Sequence, residues 1–179
     1  IDLNKAPADL LAALFAYAGG VSSQQASVLA NDTVQYRTQR DLQGRVVGFE
    51  SVQDLMSVPG VDYNLYARLS PLLTADLQGS GRVNPLAAPV EVLAVLAGGD
   101  RARVAAVFDR QSTALSASDI DLTGLNGQWV RIAATTRYRV QVLVPTLDGS
   151  SVMVIRHVDT RPDRFTGIPW RIFNAEHWM

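Results

Sequence analysis

The side chains that could hold a metal in this chain come in two short acidic pairs. Asp119 and Asp121 stand two apart in one polar stretch, and Asp159 and Asp163 stand four apart in another. Carboxylate oxygens so spaced suit calcium, although solvated loop acids are the commoner meaning of the same pattern. His157 and His177 are the only histidines, twenty residues apart, and there is no cysteine. Structural zinc and a histidine-activated nucleophile both need a compact ligand or relay set, which these residues do not supply. We expect no catalytic residue and no required cofactor, with Asp119 and Asp121 as the first calcium candidates and Asp159 and Asp163 as the second. Gly79-Ser80-Gly81 leads into Arg82-Val83-Asn84-Pro85 rather than from a strand into a helix, so it does not match a phosphate-binding loop.

A second chemistry is suggested by Val34-Gln35-Tyr36-Arg37, then Phe49-Glu50-Ser51-Val52-Gln53-Asp54-Leu55 and Val58-Pro59-Gly60-Val61. The order resembles a helix-hairpin-helix unit, whose tight turn offers backbone N–H groups to a DNA phosphate. Asp62 stands where that turn usually has a second glycine. It caps the next helix well but sets a negative charge at the docking point. Arg68 is the only basic residue between Arg45 and Arg82, and residues 1–111 hold nine Lys or Arg against eleven Asp or Glu. That balance opposes non-specific duplex binding, and we expect no nucleic-acid partner. The whole chain carries a formal net charge of −1, so no global field favours nucleic acid or anionic lipid.

One phrase of the sequence is written twice. Ala6-Pro7-Ala8-Asp9-Leu10-Leu11-Ala12-Ala13-Leu14 returns 82 residues later as Ala88-Pro89-Val90-Glu91-Val92-Leu93-Ala94-Val95-Leu96, preceded by Ile1-Asp2 and Val83-Asn84. Proline at a helix start lacks an N–H that would be unpaired there, and the acid two residues on meets the positive end of the helix dipole. The leucines and valines that follow share one face, so both copies read as core helices.

Between and after the copies the punctuation is regular. Gly19-Gly20 breaks the first helix, and Ser22 or Ser23 caps a second with Ala26, Leu29, Val34 and Tyr36 on its apolar side, fraying near Gly44. Ser51 with Asp54 makes a capping box for a short helix burying Val52, Leu55 and Met56. Another helix runs from about Asp62 through Leu65, Tyr66 and Leu69 and stops at Ser70-Pro71. A last one after Gly98-Gly99-Asp100 carries Val104, Val107 and Phe108. Residues 1–111 therefore read as all-helical, and 112–127 as a linker loop.

Past 127 the period changes to two. Tyr138-Arg139-Val140-Gln141-Val142-Leu143-Val144 alternates, Asp148-Gly149 signals a hairpin, and Val152 to Val158 returns. Trp129 to Thr135 and Trp170 to Phe173 read as flanking strands, with Trp129, Tyr138 and Trp170 as packing groups. The class is α+β: a large helical domain with helix-hairpin-helix-like (SAM-like) repeats, then a small antiparallel sheet over 128–179. Nothing in 112–179 offers a long helix to cover that sheet. No apolar run is long enough to span a membrane.

The doubled Ala-Pro phrase, the Tyr36-Arg37 and Phe49-to-Gly60 segments, the Leu69-Ser70-Pro71-Leu72-Leu73-Thr74 exit, Arg137-Tyr138-Arg139-Val140 and Pro169-Trp170-Arg171-Ile172 together resemble the K-type minor pseudopilins (GspK) of the bacterial type II secretion system. Asp2 and Lys5 replace the usual Asn and Thr of the first phrase, as Leu86 and Ala87 do in the second. The resemblance implies a pilin-like body with an inserted helical domain, found at the tip of a short periplasmic pseudopilus and helping to start its assembly for protein secretion. It implies I-type and J-type minor pseudopilins as partners. It further implies an N-terminal hydrophobic helix in the inner membrane, so that this chain is expected to be a soluble periplasmic fragment lacking that anchor. A helix-hairpin-helix DNA-binding module of a DNA-uptake apparatus is the alternative.

Overall fold

The computed structural model describes residues 1–76, 79–113, 121–132, 136–147, 149–161 and 167–178. It separates into two units, Ile1–Ile132 and Ala133–Met179.

The first unit is built on the doubled phrase. Helix α1 (Ala8–Ala13) starts after Pro7 with Asp9 in its first turn, and α4 (Val90–Leu96) starts after Pro89 with Glu91 in its first turn. Upstream of each, the same turn forms. The Asp2 carboxylate accepts from the Asn4 amide at 2.9 Å, and the Asn84 side-chain oxygen accepts from the Leu86 amide at 3.1 Å. A later helix then reaches back to close each loop. From the end of α2 (Ser23–Thr38), Arg37 Nη1 donates to the carbonyls of Leu3 and Ala6 at 3.0 and 2.7 Å. From α5 (Arg101–Thr113), Gln111 Nε2 donates to the carbonyls of Pro85 and Ala88. Pro85 and Ala88 stand 82 residues after Leu3 and Ala6, so the repeat extends to its long-range hydrogen bonds. Leu10, Leu11 and Leu14 from one copy and Val92, Leu93 and Leu96 from the other meet Phe15, Leu29, Phe49, Leu55, Leu65 and Leu69 in one core.

Between these halves the local signals act as read. The Ser22 hydroxyl accepts from the Gln25 amide, Ser51 and Asp54 form a reciprocal capping box, and the Asp62 carboxylate caps α3 (Tyr63–Leu69) through the Leu65 amide at 2.7 Å. Three details differ. Helix α1 continues as a π turn over Leu14–Ala18, closed by Gly19, where any Cβ would strike the Phe15 carbonyl. Helix α2 ends at Thr38, well before Gly44. The capping-box segment is 3₁₀ over Val52–Ser57, whose tighter period turns Met56 to solvent, and Phe108 on α5 is likewise half exposed. Helix α3 ends at Leu69, as Ser70-Pro71 predicts, and the chain runs on into a 3₁₀ turn over Ser70–Leu72.

The first unit also extends past 111 and takes in part of the expected linker. Leu125 is buried in the core, and the Asn126 amide donates to the Leu96 carbonyl. Trp129 and Val130 do not join the sheet. Val130 forms a parallel bridge with Val83, and the Trp129 indole donates to the Asp9 carboxylate at 2.9 Å.

The second unit is an antiparallel three-stranded sheet in the order β1 (Arg137–Pro145), β2 (Ser151–Asp159), β3 (Arg171–Trp178). The β1–β2 hairpin pairs Pro145 with Ser151 through Arg137 with Asp159, and a bulge at His157/Val158 shifts β3 against β2.

Candidate docking face and candidate charged sites

The period of two along β1 and β2 sorts side chains to two faces. Tyr138, Val140, Val142 and Val144 pair across with Val158, Arg156, Val154 and Val152, and Ile172 joins Val158 from β3. This face is apolar and largely uncovered: Val142 is 48% exposed, Tyr138 51% and Ile172 47%. Trp170 is also half exposed, so neither it nor Tyr138 packs in a core. A small sheet with one apolar face in water is a surface that wants a partner element. Sequence periodicity located the stripe; the burial along β2, where Ile155, His157 and Asp159 are covered and the residues between them are not, shows which face is open.

On the opposite face Ile155, His157 and Asp159 are buried. Asp159 is the hub of an arginine cluster. Arg161 Nη2 donates to it at 2.6 Å, Arg137 Nε lies 3.4 Å away and Arg171 Nη2 3.7 Å. The hydrogen bonds from Arg161 hold its carboxyl well below the usual range, against the opposing effect of burial. Both Asp159 oxygens are taken by guanidinium donors, which commits it to arginine rather than to a metal ion. Its expected partner Asp163 lies outside the described residues. The arginines were visible in the sequence, but only the register sets Arg137 and Arg171 beside Asp159.

Of the other candidate pair, Asp119 lies outside the described residues. Asp121 is exposed, and its carboxylate accepts from the Thr123 amide at 2.8 Å. Bonding to the Thr123 side chain, foremost, and to its amide holds that carboxyl below its ordinary range. No group of three His, Asp or Glu that could hold a metal occurs among the described residues. His157 pairs with Asn174 and His177 with Val154, at separate rows of the sheet.

At the hairpin turn of the first unit, Gly60 takes φ of 84° and the Val61 amide is already bonded to the Val58 carbonyl at 3.1 Å. With that donor engaged and the Asp62 carboxylate beside it, the turn offers poor accommodation to a phosphate. The state of Asp2 has no signal in residue type or spacing. Burial pushes its carboxyl up to about 6, opposed by the bond from the Asn4 amide and by the nearby charges of the N-terminus, Lys5 and Arg37.

No family profile and no curated protein matches the chain. A solved structure does: a chain of the GspK-GspI-GspJ complex from the enterotoxigenic Escherichia coli Type 2 Secretion System. The likeness has a TM-score of 0.62 at 16% identity and covers 99% of this chain and 75% of that one. The fold is pseudopilin-like. The pseudopilin-like match spans the lengths of both units, helical and sheet, rather than a shared helical motif alone.

Proposed function

We propose that this chain is the body of a K-type minor pseudopilin, a structural subunit that sits at the tip of a type II secretion pseudopilus and helps to initiate its assembly. The observation that carries this reading is the likeness over 99% of the chain to a chain of a complex containing GspK, GspI and GspJ. The open apolar face of the sheet supports it, since a pilin-like body lays such a face against a long helix. On this reading the I-type and J-type minor pseudopilins are the partners, and the full protein is anchored on the periplasmic side of the inner membrane by an N-terminal apolar helix. Its helical repeats are of the helix-hairpin-helix-like kind, put to structural use. It catalyses no reaction and requires no cofactor, calcium being an optional ligand.

Co-expression with I-type and J-type pseudopilins tests the proposal: a stable ternary complex on size exclusion is the expected result. A salt-sensitive, micromolar mobility shift on duplex DNA without co-elution would replace it with the DNA-uptake reading.

A further inference from the structure

Among the described residues, β1 lies at an edge of the sheet. The hydrogen-bond phase of that edge follows from the two ends of its ladder. The Thr146 amide donates to the Ser150 carbonyl at 2.9 Å, and the Thr160 amide to the Thr136 carbonyl at 2.7 Å. Even-numbered residues of β1 therefore exchange bonds with β2, and odd-numbered ones turn their N–H and C=O outward. Pro145, which has no N–H, falls at an odd position, where the β2 ladder loses nothing. Gln141 and Leu143 present their backbone groups to the open side.

Native edges are blunted by charged side chains, proline, bulges or short length. Strand β1 has nine residues paired with β2 without a bulge; its charges, Arg137 and Arg139, lie within its first three residues and its one proline is the last, which leaves Val140 to Val144 unblunted. From Tyr138 to Pro145 every residue is exposed.

What fits this edge is the strand itself. Laid antiparallel about Gln141, Gln141 meets Gln141, Val140 meets Val142, Arg139 meets Leu143, Tyr138 meets Val144 and Arg137 meets Pro145. All nine residues face a partner, Pro145 contributing only its carbonyl, and no guanidinium faces another. The valines and tyrosines fall on one continuous apolar face, and the arginine stems cover Leu143 and Pro145. A register centred on Arg139 would set like charges opposite each other. We propose that the outer edge of β1 pairs with β1 of a second copy of this chain, around a two-fold axis at Gln141, joining two three-stranded sheets into one. This is independent of the pseudopilus reading.

The absence of cysteine makes the test clean. In Gln141→Cys the new thiols belong to a hydrogen-bonded antiparallel pair with Cα atoms about 5.5 Å apart, within disulfide reach. In Leu143→Cys they lie four residues out of step, about 14 Å apart along the strand. Mild oxidation should give about tenfold more covalent dimer from Gln141→Cys than from Leu143→Cys. Sedimentation of the unmodified chain should show concentration-dependent self-association. Leu143→Pro, which removes one outward N–H and no β2 bond, should abolish it with the far-UV spectrum retained. Equal cross-linking of the two cysteine variants, or a chain still monomeric at about 1 mM, would overturn the proposal.

Discussion

In the first copy of the Ala-Pro phrase a guanidinium, Arg37, closes the loop beside a buried carboxyl, Asp2; in the second a neutral amide, Gln111, closes the same loop beside a neutral one, Asn84. Backbone, turn and helix start coincide, while the polar groups differ in charge. The comparison separates what the phrase needs, one side-chain nitrogen donating to two loop carbonyls and an oxygen that closes the turn, from what one copy has added. The added feature is an electrostatic load: a carboxyl held out of water, and an arginine whose own pKa is lowered by that burial while Asp2 raises it.

If the copies are equivalent halves of one core, deleting the same buried leucine from each should cost alike. Leu11 and Leu93 are both fully buried. Leu11→Ala and Leu93→Ala should each destabilise by about 2–5 kcal/mol in urea unfolding followed at 222 nm, where the helical unit dominates. Values differing by more than about twofold would show that one copy is a satellite of the other.

Charge is where the copies should part. The folded pKa of Asp2, about 6, lies above its ordinary value of 3.8, so the folded chain binds the proton more tightly. Its contribution to stability is full below pH 3.8 and is lost as pH rises through about 6, a loss of order 2–3 kcal/mol. Asp2→Asn makes the first copy resemble the second. It should be more stable than the parent at pH 7 and equal to it near pH 4, while Asn84→Asp should acquire the same pH slope. A pH-independent difference between parent and Asp2→Asn would refute this account.

The closing donors give a smaller contrast. Arg37→Ala removes two charge-assisted bonds to part-buried carbonyls and should cost about 2–3 kcal/mol, against about 1–2 kcal/mol for Gln111→Ala with its neutral bonds. Arg37→Gln, measured with Asp2→Asn in a double-mutant cycle, should show coupling, because the guanidinium also offsets the carboxylate.

How much of this was legible follows from the range of each interaction. The phrase, the caps at Ser22, Ser51 and Asp62, and the alternation along β1 and β2 are local, and each formed where its residues stood. Arg37 and Gln111 meet carbonyls more than twenty residues away, so no spacing rule points to them. Trp129 reads as a strand residue by type, but its indole is captured by Asp9 across 120 positions. Met56 faces out because the helix there is 3₁₀, a change of period that residue types did not announce. The apolar stripe of the candidate docking face was readable as alternation; that it is uncovered depends on what else the chain places near it.

Asp9 and Glu91 provide the finest test of the comparison, since they hold the same position in the two copies. Both face the start of their helix, and each should gain a few tenths of a kcal/mol from the dipole. Both residues are exposed, but Asp9 has in addition the Trp129 indole at 2.9 Å. Asp9→Asn keeps an acceptor for the indole and removes the charge; Asp9→Ala removes both. The expected order is Glu91→Ala within about 0.5 kcal/mol of the parent, Asp9→Asn similar, and Asp9→Ala about 1 kcal/mol less stable. Should Asp9→Ala match Glu91→Ala in urea titration, the indole bond contributes nothing to holding residues 121–132 on the helical unit, and buried Leu125, the Asn126–Leu96 bond and the Val83–Val130 bridge secure them.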